Sequence, residues 1–485
     1  SGDNGFCLRN ASGAVMIDTE KLIKEKFIKY WNERFNMTIE ESEINIDKID
    51  EPYPDILKHT IFENPLINKI LIHQSELRQR GIYIEPSDVS VLYDSMSGVG
   101  AYVSYLIYEH EKFNFLFKQI DKEGNLVEDN AHFNPVIDKS DRKPYPNFER
   151  VADWMKYMEL YDSDFVISND GDGDRHAFAD VGGFIDWNEL FLLLLDYCGE
   201  IGYLENYTHI VATYTTTGIL ESIAQRYGLE IKWVDVGFKN ISKAIEDIET
   251  NDEQKVFAGF EGNGGLVLHF DKFVVDKDGI VANLVLSLIK AESMARGRKS
   301  LREDISEVYE KHGIQKQSGF MQEIIVPATN GVFRNYREKW LAIEDTFLGR
   351  AIDKERSCFI DSGEKGRKLV FEDGSWVIMR ASGTESSKAR FYVEASSAKV
   401  RNALIVDLLE DYYSNFSESE RIHHGTDITN FFKQHLYQNF PKAAVDAALK
   451  TFAHGGEGEF RRIYGYLSSA TDSFFMLESK YYEFA

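Results

Sequence analysis

Three carboxylates alternate with glycines in Asn169-Asp170-Gly171-Asp172-Gly173-Asp174-Arg175, directly after the apolar run Phe165-Val166-Ile167-Ser168. Side chains two apart on a tightly turning backbone can converge on one point, and glycine permits the curl. Adjacent anions repel unless a cation sits among them. An all-oxygen ligand set favours a hard ion such as Mg²⁺. The EF-hand alternative fails, because the positions that need Gly and Glu, counted from Asp170, hold Arg175 and Val181. A solvated acidic turn is the plainer reading, and the strand pattern before the loop argues against it.

Two further loops carry polar chemistry. Gly259-Phe260-Glu261-Gly262-Asn263-Gly264-Gly265 holds one carboxylate and one amide among glycines, a set suited to vicinal sugar hydroxyls. A glycine-rich turn with a stray acid is common, so its place in the order of motifs matters more than its composition. Arg380-Ala381-Ser382-Gly383-Thr384-Glu385-Ser386-Ser387-Lys388-Ala389-Arg390 joins two strand-like runs. It offers guanidinium, hydroxyl and backbone N–H donors around Gly383, which suit a phosphate dianion. An ordinary polar hairpin is the plain alternative.

Strands and helices must hold these loops. Val89 to Tyr93 reads as a buried strand, followed by the turn Ser97-Gly98-Val99-Gly100 and the apolar stretch Ala101 to Tyr108. Strand, glycine turn and helix make the βα unit of a parallel sheet. Phe165 to Ser168 opens a second such unit, with the acidic loop at its carboxyl end, where open α/β sheets bind ligands. Downstream, the pattern predicts a helix from Trp187 to Cys198, a strand His209 to Ala212, a helix Gly218 to Tyr227 and a strand Ile231 to Val234. Strands at Glu323 to Val326, Trp376 to Met379 and Ala389 to Glu394 alternate with helices. Glu20 to Phe35 reads as an amphipathic helix. After the polar linker Ser417-Glu418-Ser419-Glu420 the chain reads as helical, with Pro441 in a first turn and Gly455-Gly456 as a break.

A chain of 485 residues is too long for one core. Apolar residues form 43% of it, enough for a sizeable core. The formal net charge of −25 disfavours nucleic acid and anionic membrane as partners. A phosphorylated ligand must therefore be held by local cations, N–H groups or metal. Cys7, Cys198 and Cys358 are widely spaced, which argues for a reducing compartment without disulfides or zinc. No run reaches the roughly 18 apolar residues of a membrane helix, and no signal-peptide pattern opens the chain. The expected setting is cytoplasmic.

Taken in order, the motifs resemble those of the phosphoglucomutase/phosphomannomutase family, the alpha-D-phosphohexomutases. Asp170 to Arg175 is similar to the family's metal loop. Pro146-Asn147-Phe148-Glu149 resembles its Pro-Asn-Pro-Glu element, with Phe148 for the second proline. Ser97 to Gly100 resembles a Met-His-Gly-Val-Gly turn, with Ser97 at the histidine position. Glu261 to Gly264 resembles the sugar loop Glu-x-Ser-Gly, with Asn263 for serine. Val236-Gly237-Phe238-Lys239 and Asp276-Lys277-Asp278-Gly279-Ile280 are also similar to family segments. Arg380 to Glu385 resembles the phosphate loop Arg-Pro-Ser-Gly-Thr-Glu, with Ala381 for proline and one extra residue before Lys388.

The resemblance implies Asp170, Asp172 and Asp174 as Mg²⁺ ligands, with Arg175 close to the transferring phosphate. It implies substrate contacts from Glu261, Asn263, Lys277, Arg380, Ser382, Gly383, Thr384 and Arg390, and an acid–base role for Lys239. The implied fold is multi-domain α/β, with three related mixed α/β sheet domains (the first incomplete), an α+β C-terminal domain and a helical tail. The expected boundaries are 1–60 for the remnant of domain 1, 61–185 with the metal loop, 186–312 with the sugar loop, 313–416 with the phosphate loop, and 417–485 for the tail. The implied activity is interconversion of hexose 1- and 6-phosphates, glucose first, through a phosphoserine and a hexose 1,6-bisphosphate.

The family's Thr-Ala-Ser-His-Asn-Pro stretch does not occur in this sequence. Asp3-Asn4-Gly5-Phe6 and Ser12-Gly13-Ala14 resemble the family segment just C-terminal to that stretch, so the expectation is a chain that begins just after the catalytic serine. Ser12 reads as a turn serine rather than a substitute nucleophile. Two alternatives stay open: a non-catalytic sugar-phosphate-binding or scaffolding relative, and a glucose-1,6-bisphosphate synthase. The tail is either a homodimerisation element or packing on the fourth domain.

Overall fold

The computed structural model describes residues 61–415 apart from 97, 99, 122–123, 128–150, 252, 269–275, 316–318, 329, 361–365 and 382–387. Several expectations lie outside the described residues: the domain-1 remnant and its helix, Ser12, Ser97, the Pro146 to Glu149 element, Ser382, Gly383 and Thr384, and the tail 417–485. The chain divides into two compact units, Ser1–Ile314 and Gln315–Ala485.

In the first unit, helix α1 (Pro65–Gln79) starts where Asn64 accepts hydrogen bonds from the N–H groups of Leu66 and Ile67 and proline fills the first turn. Strand β1 (Ser90–Asp94) is buried along its whole length and leads through Gly98 into α2 (Gly100–Tyr108). Then come β2 (Leu116–Ile120), α3 (Val151–Leu160), β3 (Phe165–Asn169), β4 (His176–Asp180) and β5 (Gly183–Phe184). The sheet order is β2-β1-β3-β4-β5. β1 runs parallel to β2 and β3, as the βα reading requires.

The second expected βα unit is different. After β3 the chain turns back as β4, antiparallel, with Asn169 opposite His176. Only residues 170–175 separate the two strands, whereas a parallel return needs a crossover of about a dozen residues or more. The acidic loop is therefore a hairpin tip.

The second sheet of this unit comes after α4 (Trp187–Glu200), which Asp186 caps. It is built from β6 (His209–Thr213), α5 (Leu220–Arg226), β7 (Glu230–Val234), α6 (Phe238–Ile248), β8 (Val256–Glu261) and β9 (Gly265–Leu268). Its order is β7-β6-β8-β9, with β9 antiparallel to β8. Both sheets thus run parallel and then close on an antiparallel hairpin whose tip is polar. Helix α7 (Gly279–Ala295) is capped by Asp278 and buried over most of its length. It packs on β3 and β4 of the first sheet as well as on β9 of the second. Helix α8 (Leu301–His312) opens with a Ser300/Glu303 capping box and stops at Gly313 in the left-handed region (φ 66°).

The second unit holds β10 (Gly319–Pro327), α9 (Asn330–Leu341), β11 (Thr346–Phe347), β12 (Arg350–Ala351), β13 (Cys358–Ile360), β14 (Gly366–Val370), β15 (Trp376–Ala381), β16 (Lys388–Ala395) and α10 (Ala398–Ser414). The main sheet, β10-β16-β15-β14-β13, is antiparallel throughout. Trp340 and Tyr336 of α9 and Leu404, Leu408 and Tyr412 of α10 share one core with Val377, Met379, Phe391 and Val393 of the sheet. The layers are mixed α/β in the first unit and helices over an antiparallel sheet in the second, a multi-domain α/β architecture.

Candidate functional site

The acidic hairpin tip brings Asp170, Asp172 and Asp174 together, with one oxygen of each within 4.8 Å of the others. Asp170 is buried, Asp174 half-buried and Asp172 exposed. The curl closes where the Gly173 N–H donates to Asp170 O (3.0 Å), with Gly173 at φ 78°. Burial pushes the Asp170 carboxyl up to about 7; Asp174 and, more weakly, Asp172 add to this, while the Arg175 N–H and guanidinium oppose it. The Arg175 N–H donates to Asp170 Oδ1 (3.1 Å), and its Nε lies 3.6 Å from Asp170 Oδ2. Three convergent carboxylates with an all-oxygen donor set fit a hard divalent cation.

The second hairpin tip lies against the first. Arg175 forms an isolated antiparallel bridge with Gly265, and the His176 N–H donates to Gly264 O (3.2 Å). His176 is fully buried, which pushes its imidazole down to about 4 and keeps it neutral. Glu261 ends β8 and is buried; its Oε1 accepts from the Gly237 N–H (3.2 Å). Asn263 Oδ1 accepts from the Gly265 N–H (3.3 Å). Lys277 ties the two tips together: its Nζ is 2.6 Å from Asp174 Oδ2 and 3.7 Å from Asp276 Oδ1, and 5.3 Å from the centroid of the Phe238 ring. Lys239 is exposed in the first turn of α6, two residues beyond Gly237. The structure therefore gathers Asp170, Asp172, Asp174, Arg175, Glu261, Asn263 and Lys277 around two touching turns, with Lys239 at their edge.

Arg380 and Arg390 belong to the second unit. They face each other across β15 and β16, both half-buried. Arg390 also pairs with Glu323 (2.5 Å), and Arg380 Nε donates to Ala381 O (3.3 Å).

Three residues that sequence reasoning passed over support the acidic tip. Asn169 is buried and donates to Arg175 O (2.7 Å). Asn283 of α7 reaches it from a distant part of the chain, 3.1 Å from Asn169 Oδ1. Gly98 stands so close that a Cβ there would lie 2.7 Å from both Asp170 O and Gly171 O. Asn169 and Gly98 carry local signals, a place between the strand and the first aspartate and a place in the glycine turn after β1, whereas Asn283 carries none.

Comparisons with known proteins agree with this architecture. Residues 186–312 match the family model for phosphoglucomutase/phosphomannomutase, alpha/beta/alpha domain III, and residues 337–411 match that for its C-terminal domain. A phosphoglucosamine/phosphogalactosamine mutase of Sulfurisphaera tokodaii is 26% identical over 281 residues, 58% of this chain and 54% of the relative. A phosphoglucomutase/phosphomannomutase of Thermococcus kodakarensis is 28% identical over 275 residues, 56% of this chain and 52% of the relative. The chain thus spans about half the length of these curated relatives. The crystal structure of the Paramecium exocytosis-sensitive phosphoprotein pp63/parafusin, a phosphoglucomutase in its open form, shares the fold. Its TM-score is 0.50 at 18% identity, over 70% of this chain and 61% of that one. Residues 186–312 and 337–411 are thus similar, in the order of the sheets, to two successive domains of the phosphoglucomutase/phosphomannomutase family.

Proposed function

We propose that this protein interconverts hexose 1-phosphates and hexose 6-phosphates, with glucose phosphates as its first substrates, through a phosphoserine and a hexose 1,6-bisphosphate. The observation that carries the reading is the contact between the carboxylate tip and the Glu261 tip, bridged by Lys277. In this reading Asp170, Asp172 and Asp174 hold Mg²⁺. When bound, the ion supplies positive charge against the phosphoryl group in transit. Arg175, fixed at the end of the loop, meets the same anionic oxygens. Glu261 accepts from sugar hydroxyls and Asn263 both donates and accepts. Lys277 supports substrate binding between the two turns, and Lys239 moves the hydroxyl proton. Arg380 and Arg390, with Ser382, Gly383 and Thr384, hold the phosphate that is not transferred.

No described helix is long and apolar enough to cross a membrane. The proposed setting is cytoplasmic, the reading that three widely spaced cysteines support.

The test is the conversion of glucose 1-phosphate to glucose 6-phosphate by the full-length protein, with Mg²⁺ and with chelator. Conversion that depends on the metal is the expected result. Metal-dependent binding of hexose bisphosphate without turnover of any hexose phosphate would replace this reading with the non-catalytic one.

A further inference from the structure

The acidic tip has an electrostatic problem that the carboxylates cannot solve themselves. Three of them converge within 4.8 Å, where like charges repel. Two cations already lean on the tip, Arg175 toward Asp170 and Lys277 toward Asp174. Each does so at a carboxylate oxygen of a residue proposed to hold the metal.

Asn169 acts differently. Its side-chain Nδ2 donates to Arg175 O (2.7 Å) and, at longer range, to Gly173 O (3.4 Å). It thereby ties the start of the loop to its end through backbone carbonyls and leaves every carboxylate oxygen untouched. Its Oδ1 accepts from the Tyr93 hydroxyl (3.0 Å) and from Asn283 Nδ2 (3.1 Å). All four hydrogen-bonding positions of the amide are used. Because two partners are carbonyls, which only accept, the amide has one permitted orientation. Asn283 gives its other N–H to Ser168 O (3.0 Å), the residue before Asn169. Tyr93, Asn169 and Asn283 are each at most 1% exposed and come from β1, β3 and α7.

We propose that Asn169 is a positioning residue that holds the acidic loop in its metal-accepting shape before the metal arrives, with Asn283 and Tyr93 orienting its amide. A neutral staple suits this task, since a charged one would compete with the cation. Lys277 and the capping Asp278 directly precede the supporting helix α7, beside the Glu261 turn, so the staple ties the metal loop to the sugar turn. This inference rests on the metal reading above.

The experiment is Mn²⁺ titration calorimetry on the full chain, with melting curves in metal-free buffer alongside. The variants are Asn169→Leu, Asn283→Leu, their double mutant and Tyr93→Phe. Asn169→Leu and Asn283→Leu are each expected to weaken Mn²⁺ binding about tenfold, the worth of one buried hydrogen bond. Tyr93→Phe, which removes a single O–H, is expected to weaken it about threefold with a native melting curve. Asn283→Leu should add nothing in the Asn169→Leu background, because it acts through that amide. Unchanged Mn²⁺ affinity in Tyr93→Phe and Asn283→Leu, or fully additive losses, overturns the staple while the metal reading stands. A wild-type chain that takes up no Mn²⁺ overturns both.

Discussion

Lys277 Nζ lies 2.6 Å from Asp174 Oδ2, while a Cβ added to Gly265 would sit 3.2 Å from the Cδ of the same lysine. One side chain thus touches the carboxylate tip with its charge and the sugar turn with its stem. An ammonium this close opposes a second cation. Lys277→Met is therefore expected to tighten Mg²⁺ binding about tenfold and to weaken hexose-phosphate binding. Calorimetry with each ligand checks both signs. Looser metal binding in the variant would show that the lysine supports the site rather than competing in it.

Arg380 and Arg390 occupy directly opposed positions on β15 and β16, where like charges cost stability unless an anion bridges them. Millimolar inorganic phosphate is expected to raise the melting temperature of the wild-type protein, a gain of about 1 kcal/mol. Arg380→Met should lose most of that gain. Potassium chloride at equal ionic strength is the control, and an equal rise with chloride would reduce the effect to screening.

Gly279 begins α7 against fixed backbone. A Cβ there would lie 2.3 Å from Arg175 O and 2.5 Å from Asn169 Nδ2. Gly279→Ala is expected to cost about 2 kcal/mol in denaturant unfolding and to loosen the metal site. Gly331, in α9 with nothing within 4 Å of an added Cβ, is the matched control, and its alanine variant should be neutral or slightly stabilising.

Asp196 of α4 is buried and accepts from His312 Nε2 (2.6 Å), Lys311 Nζ (2.9 Å) and the Tyr227 hydroxyl (2.7 Å). Burial alone would raise its carboxyl, but these donors outweigh it and hold the group below its ordinary value. A carboxyl lowered on folding binds fewer protons in the folded chain. Its contribution is complete above the unfolded value of about 3.9 and is lost as pH falls through the lower folded value. Denaturant midpoints measured from about pH 7 down to pH 3 should fall at the acid end. Asp196→Asn should lose about 2 kcal/mol at neutral pH and flatten that acid limb.

The strands were legible because their apolar runs are short and bounded: Phe165 to Ser168 and His209 to Ala212 differ from β3 and β6 by a single residue at one end. Their direction was not, since periodicity reports burial and says nothing of the sense in which neighbours run. The reversal at 170–175 therefore read as the start of a second βα unit. The convergence of the three aspartates was readable from their alternation with glycine. Asn283 was not, because it sits more than a hundred residues beyond the loop it touches, on a helix of ordinary apolar composition. A contact of that kind leaves no trace in a local window. Lys239 lies in the first turn of α6, which begins at Phe238 directly after Gly237 at φ 117°.

Gly98 has no functional atom, yet the backbone of the acidic loop passes closer to it than a methyl group allows. In a survey of viable substitutions this position would rank beside Asp170 and Asp174. A reader of such a survey alone would assign it chemistry, when what is preserved there is the absence of a side chain: an empty volume that lets two pieces of main chain touch.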